Sequence, residues 1–460
     1  MTGKRSGSAA FGAIGAVALL ICPSALAITP PAVDDQIAPP AGSAGPVQTM
    51  SLRTPCVTTG VLPGSDSAAV NPNQLTLNLS GAWQYSRGEG QTVAVIDTGV
   101  HPGPRLPNVQ AGGDFVASSD GLTDCDGHGT LIAGLIAGQP GADGFSGVAP
   151  GAELLAIRQT SAHYSPAQQG ADPETTRATI DVATLARAVV RAADLGARVI
   201  NISAVTCLPA DSAVDQSALG AALRYAAVQK DAVIVAAAGN SSSTTGAGTT
   251  CAANPLADPA RPDDPRNWGG VTSVSIPSWW QPYVLSVGAL TRAGEPAPFS
   301  MAGPWVGIAA PGQDITSVSN GGDGGLANGL PNAKGELASA SGTSYAAAYV
   351  SGVAALVRAR FPELTADQVV RRLTVTAHGA DRSPSNLVGA GSVDPVAALT
   401  WDVPGPGGPA DTTRTVAAPP PPAQKDLTPR TVAFLGTGAL ALLVLAVAAI
   451  TAHPRKDTAA

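Results

Sequence analysis

Short apolar runs that alternate with longer helical ones constrain this chain more than anything else in it. Val93-Ala94-Val95-Ile96, Leu154 to Arg158, Val199 to Ser203 and Val233 to Ala238 read as strands without a polar face. Ile180 to Ala193 and Ala218 to Gln229 read as helices between them. A strand that is apolar on both sides has to be covered on both faces, and strand–helix–strand alternation is what a parallel sheet needs. The expected class is therefore α/β, three layers with a mainly parallel sheet between helices. Aromatic residues make up only 4% of the chain, so Ala, Val, Leu and Ile must fill the core. Its 460 residues suit one large domain with appendages rather than several compact domains.

Three of the apolar runs border residues with chemical potential. Asp97 ends the first strand and is followed by Thr98-Gly99. His128 sits in Asp126-Gly127-His128-Gly129-Thr130, ahead of the apolar run Leu131 to Ile136. Ser344, in Ser341-Gly342-Thr343-Ser344, opens the Ala/Val run Ala346 to Val357, which puts its hydroxyl at a helix N-terminus where developing negative charge is favoured. A serine hydroxyl is a poor nucleophile near neutral pH. It needs a base such as imidazole, and a buried carboxylate then holds that imidazole in one tautomer. Gly239-Asn240 ends a further strand, so the Asn240 amide is the expected oxyanion donor. Singly, Asp-Thr-Gly, Gly-Thr-Ser and Gly-Asn also occur as plain turns or caps. Four such segments in one order point to a serine hydrolase.

In that order the segments resemble the subtilisin-like serine proteases, over about Gly81 to Leu399. Gly88 to Val93, Gly147 to Ala152 and Gly389 to Asp394 fit the same pattern. The resemblance implies Asp97 as orienter, His128 as general base then acid, Ser344 as nucleophile, and Asn240 with the Ser344 backbone N–H as oxyanion hole. It also implies a substrate-pairing strand at Ser203, Ala204 and Val205, where Ala204-Val205 replaces a more open Leu-Gly pair. After the serine, Tyr345-Ala346-Ala347-Ala348-Tyr349 stands where the family usually carries Met-Ala-x-Pro-His.

The chain ends suggest where such an enzyme works. Lys4 and Arg5, the apolar stretch Phe11 to Ile21 and Ala25-Leu26-Ala27 read as a signal peptide over residues 1–27. Residues 431–452 are uncharged over about the length that spans a bilayer. His453-Pro454-Arg455-Lys456 follows them, in a tail of residues 453–460. A translocated N-terminus and one stop-transfer helix give a single-pass type I protein of the cell membrane, with its catalytic domain on the extracytoplasmic side. The Pro-rich residues 402–430, with four prolines at 419–422, are an extended tether. Residues 28–80 are Pro-rich and irregular, and read as an arm wrapped on a peptidase domain of residues 81–401. Two long segments, Gln159 to Glu174 and Ser241 to Trp280, read as loops at the active-site edge.

Cys22 leaves with the signal peptide, and Cys56, Cys125, Cys207 and Cys251 suit an oxidising compartment. Three pairings are open to them. If the strands ending near Ala204 and Asn240 are neighbours, the loops that leave them share an edge. That favours Cys207 with Cys251 and leaves Cys56 with Cys125. The formal charge of −7, without a basic block, argues against nucleic acid as a partner. No metal-ligand cluster or cofactor motif is apparent.

Signal peptide, cysteine-bearing arm, protease domain, Pro-rich tether and C-terminal membrane helix together are similar to the mycosins, membrane-anchored proteases of type VII secretion systems. The resemblance implies a protein or peptide substrate, secretion membrane components as partners, and either of two roles. One is an endopeptidase that processes exported proteins. The other is an assembly factor whose proteolysis is dispensable.

Overall fold

The computed structural model describes residues 28–404 and 428–451, apart from 169, 243–249, 333 and 381–383. The expected signal peptide, most of the tether and the tail lie outside the described residues. The chain divides into two units, one ending at Val403 and one beginning at Pro404.

Seven strands form the central sheet of the first unit: β1 (Thr92–Asp97), β2 (Val109–Asp114), β3 (Glu153–Arg158), β4 (Val199–Ile202), β5 (Val233–Ala237), β6 (Val284–Leu290) and β7 (Val306–Pro311). Their order is β7-β6-β5-β4-β1-β3-β2, and every pairing is parallel. Period-two alternation sorts the side chains between two cores. Val93 and Val95 join the cluster under α1 (His128–Ala137) and α4 (Thr343–Arg360). Ala94 and Ile96 join the cluster under α2 (Pro173–Asp194) and α3 (Ser217–Arg224). The result is the three-layer α/β class that two-sided apolar strands require.

From β1 the chain runs to β2 and β3 on one side, then crosses to β4 on the other. This reversal opens a crevice at the carboxyl ends of β1 and β4, where open parallel sheets place their sites. The segment 159–174, expected as loop throughout, turns helical at its end. Asp172 accepts hydrogen bonds from the backbone N–H groups of Glu174 and Thr175, and Pro173 occupies the first turn, so α2 starts seven residues before Ile180.

Residues 28–80 lie against this core at many points. Met50–Leu52 pairs antiparallel with Tyr164–Pro166. Thr59 N–H donates to Asn320 Oδ1 at 2.9 Å, and Leu62 N–H to Asn328 Oδ1 at 2.7 Å. Cys56 is bonded to Cys125 and Cys207 to Cys251. β4 and β5 are neighbours, and the Cys207–Cys251 bond joins the segments that leave their carboxyl ends.

In the second unit Thr428–Thr451 forms one helix, α5. Its stretch Thr431–Ala448 has a mean hydropathy of 2.3 over 18 residues, long and apolar enough to cross a membrane.

Candidate active site

Each of the three chemically suited side chains is brought to the crevice by a different element. Asp97 is the last residue of β1 and is fully buried. His128 opens α1 because the chain turns sharply just before it. Gly127 has φ +78°, and a Cβ there would lie 2.5 Å from the Thr59 methyl carbon. Gly129 packs so closely on β1 that a Cβ would meet the Gly99 carbonyl oxygen at 2.0 Å. Those two contacts account for the glycines flanking His128. Ser344 lies in the first turn of α4, across the crevice.

The three form one line. His128 Nδ1 is 2.7 Å from Asp97 Oδ1, and His128 Nε2 is 2.9 Å from Ser344 Oγ. With Nδ1–H donated to the carboxylate, Nε2 presents its lone pair to the serine hydroxyl. Burial alone pushes the His128 pKa down. The Asp97 charge and hydrogen bond, helped by Asp124 and Asp126, outweigh it and hold the imidazole above its ordinary value.

Asn240 follows the tip of β5 and faces the start of α4. Its Oδ1 accepts from Thr343 N–H at 3.0 Å and from Thr343 Oγ1 at 3.1 Å, while Thr343 Oγ1 in turn accepts from Gly239 N–H at 3.2 Å. Because a backbone N–H can only donate, the atom facing it is the amide oxygen. The Asn240 NH2 group is thereby set on the other side of the amide.

The Ser203–Val205 segment follows β4. Ser203 Oγ accepts from Asn201 Nδ2 at 2.7 Å and lies 3.4 Å from the Ser344 carbonyl oxygen, and Asn201 Oδ1 accepts from Ser351 Oγ at 2.9 Å. This buried relay ties β4 to α4. Ala204 and Val205 are buried and sit between β4 and the ribbon that Thr206–Pro209 forms with Ser273–Ile276. Among the described residues neither has a ladder partner.

Sequence reasoning passed over Asp124. Its Oδ1 accepts from Thr98 Oγ1 (2.8 Å), Gly127 N–H (2.8 Å) and Asp126 N–H (3.2 Å), and its Oδ2 accepts from Thr130 N–H (2.8 Å) and Thr130 Oγ1 (2.6 Å). One carboxylate thus gathers the loop that carries His128. Burial pushes its pKa up, against the hydrogen bonds of Thr130 and Thr98. Asp126 is held in turn by Ser161 Oγ at 2.6 Å and Ala162 N–H at 2.7 Å, which ties the 159–174 segment to the site. The available signal was a carboxylate just ahead of a Gly-rich helix start, with Thr130 six residues on. Among the described residues no group of three or more His, Cys, Asp or Glu could hold a metal ion.

The Subtilase family profile matches residues 88–391, the span that holds all of these side chains. Mycosin-3 of Mycobacterium tuberculosis (strain ATCC 25618 / H37Rv) is 63% identical over 97% of this chain and 98% of its own length. The chain belongs to the mycosins, within the subtilase family. The solved MycP3 protease from the type VII (ESX-3) secretion system is similar to this mycosin at 71% identity and a TM-score of 0.79, covering 82% of this chain and 100% of its own. A chain in the periplasmic assembly of the ESX-5 inner membrane complex is 48% identical, with a TM-score of 0.79, over 86% of this mycosin and 100% of itself. This mycosin is thus a subtilisin-like protease by family, with the fold of its solved relatives.

Proposed function

We propose that this mycosin is a serine endopeptidase in which Ser344 is the nucleophile, His128 the general base and Asp97 its orienter. The observation that carries the reading is the unbroken line from Asp97 Oδ1 through the imidazole to Ser344 Oγ. As Ser344 Oγ attacks a peptide carbonyl, His128 Nε2 takes its proton, and Asp97 stabilises the imidazolium that forms. The oxyanion is met by the Asn240 side-chain amide and by the Ser344 N–H at the start of α4. The imidazolium then protonates the leaving amine, and water, activated by the same base, releases the acyl group. Ser203 to Val205 pairs with the substrate backbone beside Ser344.

The domain acts on the extracytoplasmic side of the membrane, held there by α5, and its substrates are proteins exported by a type VII secretion system. Two disulfides and the apolar stretch 431–448 support this placement. N-terminal sequencing of exported proteins from cells carrying the natural protein or the Ser344→Ala variant tests it. A processed terminus present in the first and lost in the second is the expected result. Identical termini from both would refute processing.

A second role is favoured by the 48% identical relative solved within a secretion membrane complex. This mycosin supports assembly of such a complex through surfaces that need no catalysis. Secretion that persists with Ser344→Ala but stops on deletion of the chain is the expected outcome, and secretion lost equally in both would count against it.

A further inference from the structure

Two side chains in contact with the His128 imidazole each carry a buried polar atom without a hydrogen-bond partner among the described residues, one a donor and the other an acceptor. The Tyr345 phenol is fully buried, and its ring stands 5.3 Å from the imidazole, centroid to centroid, at 50°. Among the described residues its hydroxyl has no hydrogen-bond partner. Among the described residues Asp97 is bonded through one carboxylate oxygen: Oδ1 takes the bonds from His128 and from Thr98 N–H, while the buried Oδ2 takes none. Buried polar groups in folded proteins are seldom left unpaired, because an orphaned group keeps the full cost of its desolvation.

We propose that Tyr345 is a positioning residue of the catalytic site, its hydroxyl donating to Asp97 Oδ2 through one bridging water, while its ring packs beside the His128 imidazole. One observation favours Asp97 as the acceptor. Asp124, the other carboxylate near the phenol, already accepts five hydrogen bonds. Burial first, then the charges of Asp97 and Asp124, push the phenol pKa far up, so the group stays a protonated donor at every working pH. Tyr349 is one turn further along α4 and is equally buried and unpartnered, but burial alone raises its pKa. Tyr345 differs in its ring contact with His128 and in the charges of Asp97 and Asp124 that act on it. A donor on Oδ2 spreads the carboxylate's charge over both oxygens and fixes its plane, and so fixes the direction in which His128 Nε2 points at Ser344. This inference rests on the catalytic reading above.

The test is Tyr345→Phe in the full chain, with Tyr349→Phe as the control. Removing the donor leaves Asp97 Oδ1 more negative towards the imidazole, so the acid limb of kcat/KM moves to higher pH, and the plateau rate falls about ten-fold, the cost of about one charge-assisted hydrogen bond. Tyr349→Phe leaves both unchanged. NMR titration of the His128 ring gives the same readout without turnover: its pKa rises in Tyr345→Phe relative to the natural protein. If wild-type protein proves inert towards peptides and fluorophosphonates, the catalytic reading fails while the titration still decides the Tyr345–Asp97 contact. Should the Phe variant not fold, as judged by its melting temperature, Tyr345→Met also lacks the donor and carries the same expected shift. An unchanged acid limb and an unchanged His128 pKa in a folded variant overturn the proposal.

Discussion

At the residue scale the site turns on opposed effects at His128. Burial disfavours the imidazolium, yet the carboxylate in contact with it prevails, and the pKa stands above the ordinary imidazole value of 6.5. A base must be neutral to act. The acid limb of kcat/KM therefore falls above pH 6.5, and a pH profile on any cleaved peptide checks it. The same raised pKa has a stability consequence of opposite sign. Protonated His128 favours the folded state, fully at pH below the unfolded value, and that contribution fades as pH rises through the folded value. Asn240 belongs to the same scale. Asn240→Ala removes one oxyanion donor and lowers kcat by roughly 10²–10³-fold with little change in KM, as steady-state kinetics will show.

The loop before α1 sets the precision of the site at the element scale. Asp124 draws Thr98, Gly127 and Thr130 together, and Gly127 turns where a side chain would collide with Thr59 of the arm. Gly127→Ala is therefore expected to destabilise the domain by about 1–3 kcal/mol, from the left-handed backbone and the displaced arm, measurable by denaturant unfolding. The Cys56–Cys125 bond fastens the arm to the same loop. Replacing both cysteines with serine is expected to cost about 2–4 kcal/mol and to open residues 53–62 to limited proteolysis. Much at this scale was legible in the sequence. Strands β1, β3, β4 and β5 announced themselves by unbroken apolar runs, whereas β2, β6 and β7 were not picked out, and Asp97, His128 and Ser344 each bordered such a run or opened a helix. The bonds of Asp124 and the relay Asn201–Ser203–Ser351 were not legible, because each joins residues from separate elements and is fixed only by register and helix packing. The early start of α2 was missed because Asp172-Pro173 looks like a turn until the helix beyond it is seen.

For the whole molecule, the contrast is between the folded unit ending at Val403 and the apolar helix Thr428–Thr451. Sequence composition marked both, since an uncharged stretch of bilayer length differs so sharply from the Pro-rich residues before it. A chain ending at Asp402 is expected to leave the membrane fraction while keeping the melting temperature of its peptidase domain, whereas the full chain stays with the membrane at high salt. The arm is the feature that sequence alone described least well. Its irregular, Pro-rich composition excluded a folded module, but its partners (the Asn320 and Asn328 side chains, the 164–166 strand and the His128 loop) are recruited from three distant parts of the chain. These contacts make it part of the catalytic unit's frame.

The central claim is that Ser344 is a nucleophile activated by His128 and Asp97. Reaction of the full-length protein with a fluorophosphonate, followed by peptide mapping, tests it most directly. The account predicts a single adduct on Ser344, its formation slowed by at least about 10³-fold in His128→Ala and abolished in Ser344→Ala. Folded wild-type protein that forms no adduct, or an adduct that persists in Ser344→Ala, would contradict it.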